Sequence, residues 1–430
     1  ALFTNTSGTS NVGVGFQALY VNTTASSNTA VGYQAMVTNT TGADNVAVGY
    51  LALSTASTGA NNTALGRSAL ATAAVSDNTA VGYAAMASTT TGTANVAVGK
   101  DALDTNTTGS NNVAVGMDAL DANTTGGENS AIGFGSLAAN TTASYNNAVG
   151  SAALAANTTG ASNTAVGAYA LDANTTANNN TAVGYNALGT STTATNNTAV
   201  GFQALDNVTT ADLNTAVGAY AGDALTTGHS NIAIGANSLQ TASTSSYNVA
   251  IGRDAGNDIT SGTLNTLVGS WAGDVITTGS TNTALGYAAV SAVTTASSNT
   301  GLGAYAAGAI STGAYNTAVG AYALDATTTT NSNTAVGYGC LGANTTGTRN
   351  TSMGYGANDA CTIGRYNVAM GYNALGVDVD GDSSVAIGYS ALAPQESDSA
   401  NQAVYNTGVG AYAGTGLTTG IHNTLIGGFA

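Results

Sequence analysis

The chain has almost no positive charge. Five basic residues, Lys100, Arg67, Arg253, Arg349 and Arg365, stand against 21 acids in 430 residues, for a net charge of −16. A protein that binds nucleic acid neutralises phosphates with a stripe of Lys and Arg. No such stripe exists here, so the composition speaks against nucleic-acid binding, and anionic membrane surfaces are disfavoured for the same reason. Charged residues make up only 6% of the chain, against roughly a quarter in ordinary proteins. There is one proline, Pro394, and no run near the ~18 apolar residues of a membrane span. Two cysteines, Cys340 and Cys361, are too few for a disulfide framework, and no Cys/His spacing suggests zinc. They read as two buried free thiols, with a single bridge as the alternative. The chain opens at Ala1 without a signal-peptide pattern. That start reads as a processed product, or as the ordered part of something longer.

What is present is repetition. Glycine is abundant, at 57 residues, with Asn, Thr, Ala and Ser filling much of the remainder, and 43% of the chain is hydrophobic. A disordered tract would be poor in apolar residues. Here they recur at a fixed period, which is a structural signature. "NTAVGYQAMVTNTTGAD" at residues 28–44 is followed by "NVAVGYLALSTASTGAN" from residue 45. Indexed on the glycine of the "AVG" core, the series runs Gly15, Gly32, Gly49, Gly66, Gly82 and onward to Gly427. It contains 25 repeats, and only two of the 24 spacings differ from seventeen: one residue is deleted before Gly82 and five are inserted before Gly410. Val, Ile, Leu or Met precedes every one of these glycines, and Asn stands four residues before 24 of them, Ser384 being the exception.

A short β-branched run closed by Gly and Asn/Thr turn residues predicts a strand, and the glycine argues against a helix. Alternation along the strand puts Asn28, Ala30 and Gly32 on one face and Thr29, Val31 and Tyr33 on the other. One face is small, the other bulky, and neither is charged, so both are expected to be covered. The expected architecture is all-β: a parallel β-solenoid of about 25 coils, each of two short strands and two turns, in one continuous array over residues 1–430. Stacked at about 4.8 Å, the coils would make a rod of roughly 120 Å. Identical positions would form ladders, and the column holding Asn28, Asn45, Asn62, Asn95 and Asn112 is expected to be an amide ladder. A single coil has too little core to stand alone, so stability must come from stacking and from neighbouring chains.

"NTAVGYQAM", "NTAVGYNAL" at 180–188 and "SVAIGYSALA" at 384–393 resemble the head repeats of trimeric autotransporter adhesins, with their "[ND]-x-A-[VI]-G-x-x-[AS]" core. The seventeen-residue form with "NTTG" is similar to repeats in tail-fibre-like proteins of bacteriophages and bacteria. The resemblance covers nearly the whole chain. It implies a left-handed β-roll, three chains about one axis, an extracellular setting on a virion or cell surface, and a role as a fibre shaft or adhesive head. The charged coiled-coil stalk, membrane anchor and self-cleaving chaperone domain of those proteins are not seen here. The residues themselves also point to a homotrimer. The small residues Ala30 and Gly32 recur on every rung and would let a neighbouring backbone approach. Core-pattern repeats without polar caps stand near both termini, inviting end-to-end continuation.

Two departures from the repeat and one recurring triplet within it are candidate sites. "GVDVDGDSS" at 376–384 sets Asp378, Asp380 and Asp382 at alternate positions around Gly381, part of the pattern of a calcium loop without its final Glu; a solvated acidic turn is the alternative. The insertion at 393–405 is expected to emerge as a surface loop, either binding a ligand or varying freely. The "NTT" triplets at Asn22, Asn39, Asn106, Asn123, Asn140, Asn157, Asn174 and Asn344 are glycosylation sequons, or else plain turn chemistry. His229 and His422 lie apart beside turn glycines and read as turn residues. No nucleophile–base pair or phosphate loop is suggested, so the chain is not read as an enzyme and no organic cofactor is expected. The leading functional expectation is a structural or adhesive fibre contacting a host-surface glycan or receptor. A carbohydrate-binding module with Tyr33, Tyr50 and Tyr83 as platforms is the second, and it requires those rings to face solvent. A polysaccharide-cleaving solenoid comes last, because the acids are scattered through turns.

Overall fold

The computed structural model describes residues 1–73, 75–400 and 402–430. They form two compact units, residues 1–213 and 214–430, each a parallel β-solenoid with no helix among the described residues. The first holds twelve strands, from β1 (Val12–Val14) to β12 (Thr198–Val200), and the second thirteen, from β13 (Thr215–Val217) to β25 (Thr424–Ile426). Every strand is three residues long and sits on the "AV" core. Within each unit every strand pairs in parallel with the next, so Thr29 lies beside Val46, Ala30 beside Ala47 and Val31 beside Val48. The one-residue deletion before Gly82 leaves that register intact, with Thr63 beside Thr79. So does the insertion before Gly410, with Val385 beside Thr407.

Each coil has one strand rather than the expected two. The "Ala-Leu" side is hydrogen-bonded from coil to coil: Gln34 N donates to Phe16 O at 2.8 Å and Met36 N to Ala52 O at 3.0 Å. It is not extended, because Gln34 and Met36 adopt φ values of 54° and 48°. Ala35 and Met36 are adjacent, yet both are fully buried. A pleated strand points successive side chains to opposite faces. Placing two neighbours inside one narrow coil therefore requires the left-handed region at the second. A non-glycine residue there costs about 1–3 kcal/mol, and burial of its side chain, worth about 1.5–3 kcal/mol, offsets it.

The corner between the two sides is the glycine of "AVG". Gly32 has φ +142°, and a Cβ built on it would lie 2.3 Å from Gly49 O in the next coil. Both backbone conformation and stacking distance exclude a side chain there.

The interior is small. Asn28, Ala30, Ala35, Met36 and Asn39 are fully buried, whereas Tyr33 is exposed and Thr29 and Val31 remain partly so. The coil's own Ala35 and Met36 therefore enclose the small face. The expectation that Ala30 and Gly32 receive a neighbouring chain is corrected; the face left open is the bulky one. Core volume is conserved along the stack. Where the Leu position becomes glycine, as at Gly256 and Gly273, an isoleucine three residues later fills the space. Cβ atoms at those glycines would meet Ile259 Cδ1 at 3.1 Å and Ile276 Cδ1 at 2.7 Å.

Candidate functional site: ladders inside and outside the coil

Two amide ladders run through the interior. In the expected one, Asn45 N and Nδ2 donate to Asn28 Oδ1 at 3.0 and 3.1 Å, and Asn45 Nδ2 also donates to Gly59 O at 2.9 Å. Asn62 N continues it to Asn45 Oδ1, and Asn112 N to Asn95 Oδ1, each at 2.9 Å. Each Asn side chain thus accepts from the strand-entry N–H seventeen residues on and donates to the turn carbonyl fourteen residues on. A buried amide has a low free-energy cost only when so paired.

The second ladder is made by the sequon asparagines. Asn39 Nδ2 donates to Asn22 Oδ1 at 3.1 Å and to Gly42 O at 2.9 Å. The run from Asn106 through Asn123, Asn140 and Asn157 to Asn174 repeats the pattern at 2.9–3.0 Å. Asn344 Nδ2 bonds Gly347 O at 3.2 Å. All eight sequon side chains are fully buried. An amide nitrogen enclosed in the coil and donating to its backbone is not open to a glycan in the folded chain. Asn39 Oδ1 and Asn174 Oδ1 lack partners, because the next coils carry Ala56 and Ser191 at the ladder position. The signal for this ladder was in the sequence: an Asn seven residues after the corner glycine in eight coils, five of them consecutive from Asn106 to Asn174. It was obscured because Asn-Thr-Thr also reads as a turn.

The three aspartates of 378–382 do not converge. Asp378 occupies the second ladder's position and points inward, accepting from Gly381 N at 3.0 Å and from Gln395 Nε2 at 2.6 Å. Asp380 Oδ1 accepts from Ser397 Oγ. Asp382 Oδ1 accepts from Arg365 N at 2.7 Å, and burial holds its carboxyl above the usual range. Calcium needs six to eight oxygens directed at one point, whereas these carboxylates each serve a separate protein donor. Among the described residues no group of three or more His, Cys, Asp or Glu could hold a metal. The tentative calcium site is therefore corrected to a ladder rung and two turn acceptors.

The described part of the insertion is exposed at Glu396 and at 398–400, as expected of a surface loop, and is tied down on either side. Gln395 sits in the ladder column, fully buried, and an isolated parallel bridge joins Asp382 to Ala403. Cys340 and Cys361 are free and buried, in the Ala column and the second ladder respectively. Burial pushes both thiols up to about 12. His229 packs edge-on to Tyr247 at 4.8 Å, and His422 stacks on Tyr405 at 5.3 Å.

Outside the coil the aromatic residues form a ladder of their own. Phe16, Tyr33 and Tyr50 stack with centroids 5.3 and 5.2 Å apart and interplanar angles of 14° and 9°. Tyr33, Tyr50 and Tyr83 are exposed, but Phe16 and Tyr50 cover the two ring faces of Tyr33. Arg67 fills a rung between Tyr50 and Tyr83, its guanidinium 5.4 and 5.8 Å from their centroids. Arg253 lies over Trp271 and Arg349 over Tyr366, both at 5.4 Å. Arg67 and Arg253 thus stand in for rings in this column, whereas Arg349 and Tyr366 pair in another, five residues before the corner glycine; the composition did not reveal this use of the few basic residues. Beside the ladder, Asp101, Asp104, Asp118 and Asp121 share a groove with Tyr83 and Lys100. Lys100 Nζ bonds Asp101 Oδ2 at 2.7 Å. Burial first, and neighbouring carboxylates second, hold Asp104 and Asp121 above their ordinary range.

No helix among the described residues is long and apolar enough to cross a membrane. No protein-family model matches the chain, and no curated protein matches it.

Proposed function

We propose that the protein is a structural shaft that assembles with copies of itself, a homotrimeric fibre segment of an extracellular virion or cell-surface appendage, holding an attachment function away from its base. One observation carries the reading: the bulky sheet face is open, and along it the residue before the corner glycine forms an unbroken apolar column beside a column that is mostly Thr. Val14, Leu65, Val98 and Ile132 in the first unit are exposed, as are Ile234, Leu285 and Met353 in the second. A contiguous apolar surface of this kind on a chain with so small a core is a signature of association. The opposing consideration is charge. At −16, copies repel one another, and the acids that gather beside Lys100 lie around the corner from the sheet face, where they do not obstruct its burial. The repeat's likeness to adhesin heads and tail-fibre proteins is consistent with the same reading, as is end-to-end continuation of the stack. Sedimentation at micromolar concentration tests it. A species of three times the 41.5 kDa chain mass is expected; a stable monomer overturns the reading.

A second reading, a carbohydrate-binding surface, draws support from the exposure of the tyrosine column. Sugars stack on ring faces, however, and within runs such as Phe16–Tyr33–Tyr50 the faces are already occupied by neighbouring rings. Titration with a panel of host-surface glycans distinguishes the two. Binding that is lost on Tyr83→Ala, where the next coil offers Lys100 instead of a ring, would favour the second.

A further inference from the structure

From Gly269 onward the aromatic ladder of the second unit is continuous. Each of the ten coils from Gly269 to Gly427 contributes one ring, starting at Trp271 and ending at Phe429, with neighbouring centroids 4.9–5.7 Å apart. The ring comes from the residue after the corner glycine in some coils ("GYNA") and from the next residue in others ("GAYA"). Within this run Tyr338, Tyr355, Tyr372 and Tyr389 are four consecutive phenols in face-to-face stacking. Their centroids are 5.3, 5.5 and 5.0 Å apart, at interplanar angles of 11°, 10° and 9°. The spacing is imposed by in-register coils, whose backbones lie about 4.8 Å apart. About half of each ring is exposed, at 51, 57, 48 and 47%. An oxidant can therefore reach these phenols, and the side chains have room to turn.

We propose that this tyrosine stack is a site of oxidative ring-to-ring coupling, joining residues one coil apart by carbon–carbon bonds when a haem peroxidase and hydrogen peroxide act on it. A phenol at neutral pH is protonated, its pKa lying near ~10. The peroxidase therefore removes one electron and one proton from each of two neighbouring rings. The two phenoxyl radicals join ortho carbon to ortho carbon, forming one bond. Each coupled carbon then releases its hydrogen as a proton to water while the ring oxygen takes one up, and both rings regain aromaticity. In sum two phenols lose two hydrogen atoms, and hydrogen peroxide accepts them to become two waters. Held one coil apart, the partners have an effective concentration far above that of a second chain in dilute solution.

The geometry ranks the junctions. Tyr33–Tyr50 in the first unit is stacked, at 5.2 Å and 9°, and couples as well. Tyr287–Tyr305 and Tyr322–Tyr338 are edge-on, both at 70°, and couple less. The products are covalent staples across successive coils, which cross-link the stack along its axis.

The test treats the full chain, at sub-micromolar concentration, with a haem peroxidase and hydrogen peroxide. Dityrosine fluorescence and tandem mass spectrometry provide the readout. Expected are intrachain links at Tyr338–Tyr355, Tyr355–Tyr372 or Tyr372–Tyr389, each with the loss of two hydrogens, at a yield unchanged on tenfold dilution. Tyr355→Phe keeps a ring in the stack and should leave Tyr372–Tyr389 as the main link of the run, with the circular dichroism spectrum unchanged. The proposal is overturned if no dityrosine forms, if the yield falls with dilution, or if the urea-unfolded chain gives the same set of links.

Discussion

Gln395 Nε2 donates to Ser384 Oγ at 2.9 Å, eleven residues back in the chain and inside the core. The bond links the two interior ladders at the one coil where the first lacks its asparagine. Gln395 stands in the second ladder's column, where its Nε2 also reaches Asp378 Oδ2 at 2.6 Å, and its Oε1 accepts from Asn406 Nδ2 at 3.0 Å. One longer amide thus covers the gap left by a shorter serine. Gln395→Ala is expected to cost about 1–3 kcal/mol by stranding buried polar groups. Ser384→Asn alone should destabilise by overfilling the same space. The pair Ser384→Asn with Gln395→Asn should recover most of the loss, with a coupling of about 0.5–3 kcal/mol in a double-mutant cycle. Additive losses in chemical denaturation would show that the two residues act independently.

The corner glycines are the least replaceable residues of the coil. Gly354 has φ +134°, and a Cβ there would lie 2.4 Å from Gly371 O. Gly354→Ala should cost at least ~3 kcal/mol through strain and displaced stacking. It should also raise hydrogen-exchange rates in the coils on either side. Gly416→Ala is the control: nothing lies within 4 Å of the added carbon, and the change should fall within about 0.5 kcal/mol. Equal effects at the two sites would contradict the assigned corner geometry.

Asp274 gives the fold a pH dependence of known sign. Burial first, then Asp258 and Asp254 nearby, push its carboxyl from 3.8 up to about 6. The folded state therefore holds this proton more tightly than the unfolded chain. The favourable contribution is complete below 3.8 and is lost as pH rises through about 6. The rise from 3.8 to about 6 sets a ceiling of ~3 kcal/mol, reduced by the partial solvation of the group. Asp274→Asn should raise the melting temperature at pH 7.5 and make no difference at pH 3.5. A variant less stable than the parent at pH 7.5 would show that the charged form is the favoured one.

Calcium should leave the protein unchanged. Because Asp378, Asp380 and Asp382 are each engaged by a separate donor, millimolar calcium or a chelator should not shift the melting temperature. Isothermal titration should show no saturable heat. Saturable binding lost on Asp378→Asn would restore the calcium-loop reading of 378–382.

Much of the architecture was legible because each coil restates it. The period, the strand at every "AVG" core and the Asn28 column all follow from positions repeated along the chain, and all three are present. Which face of the strand lies inside was not legible. Alternation separates Ala30 from Val31, but with neither side polar it does not say which one meets water. The answer depends on Ala35 and Met36 turning inward together. That needs a left-handed Met36, a conformation for which the residue has no intrinsic preference and the sequence no marker. The same enclosure hid the role of Asn39, whose "NTT" context is shared by exposed turns. At 378–382 the alternating aspartates resembled a loop of ligands, yet ladder position overrode local motif and sent Asp378 into the core. Ser384 stood out as an exception, but its compensation by Gln395 joins two columns and is invisible to a reading of either one.

A cryo-EM cross-section of the purified protein decides whether the open sheet face, with its apolar Val31 column, is covered by copies of the same chain. Three coil outlines about one axis are expected, with the columns of Thr29 and Val31 in each turned toward another copy. A single outline whose Val31 column faces solvent would contradict it.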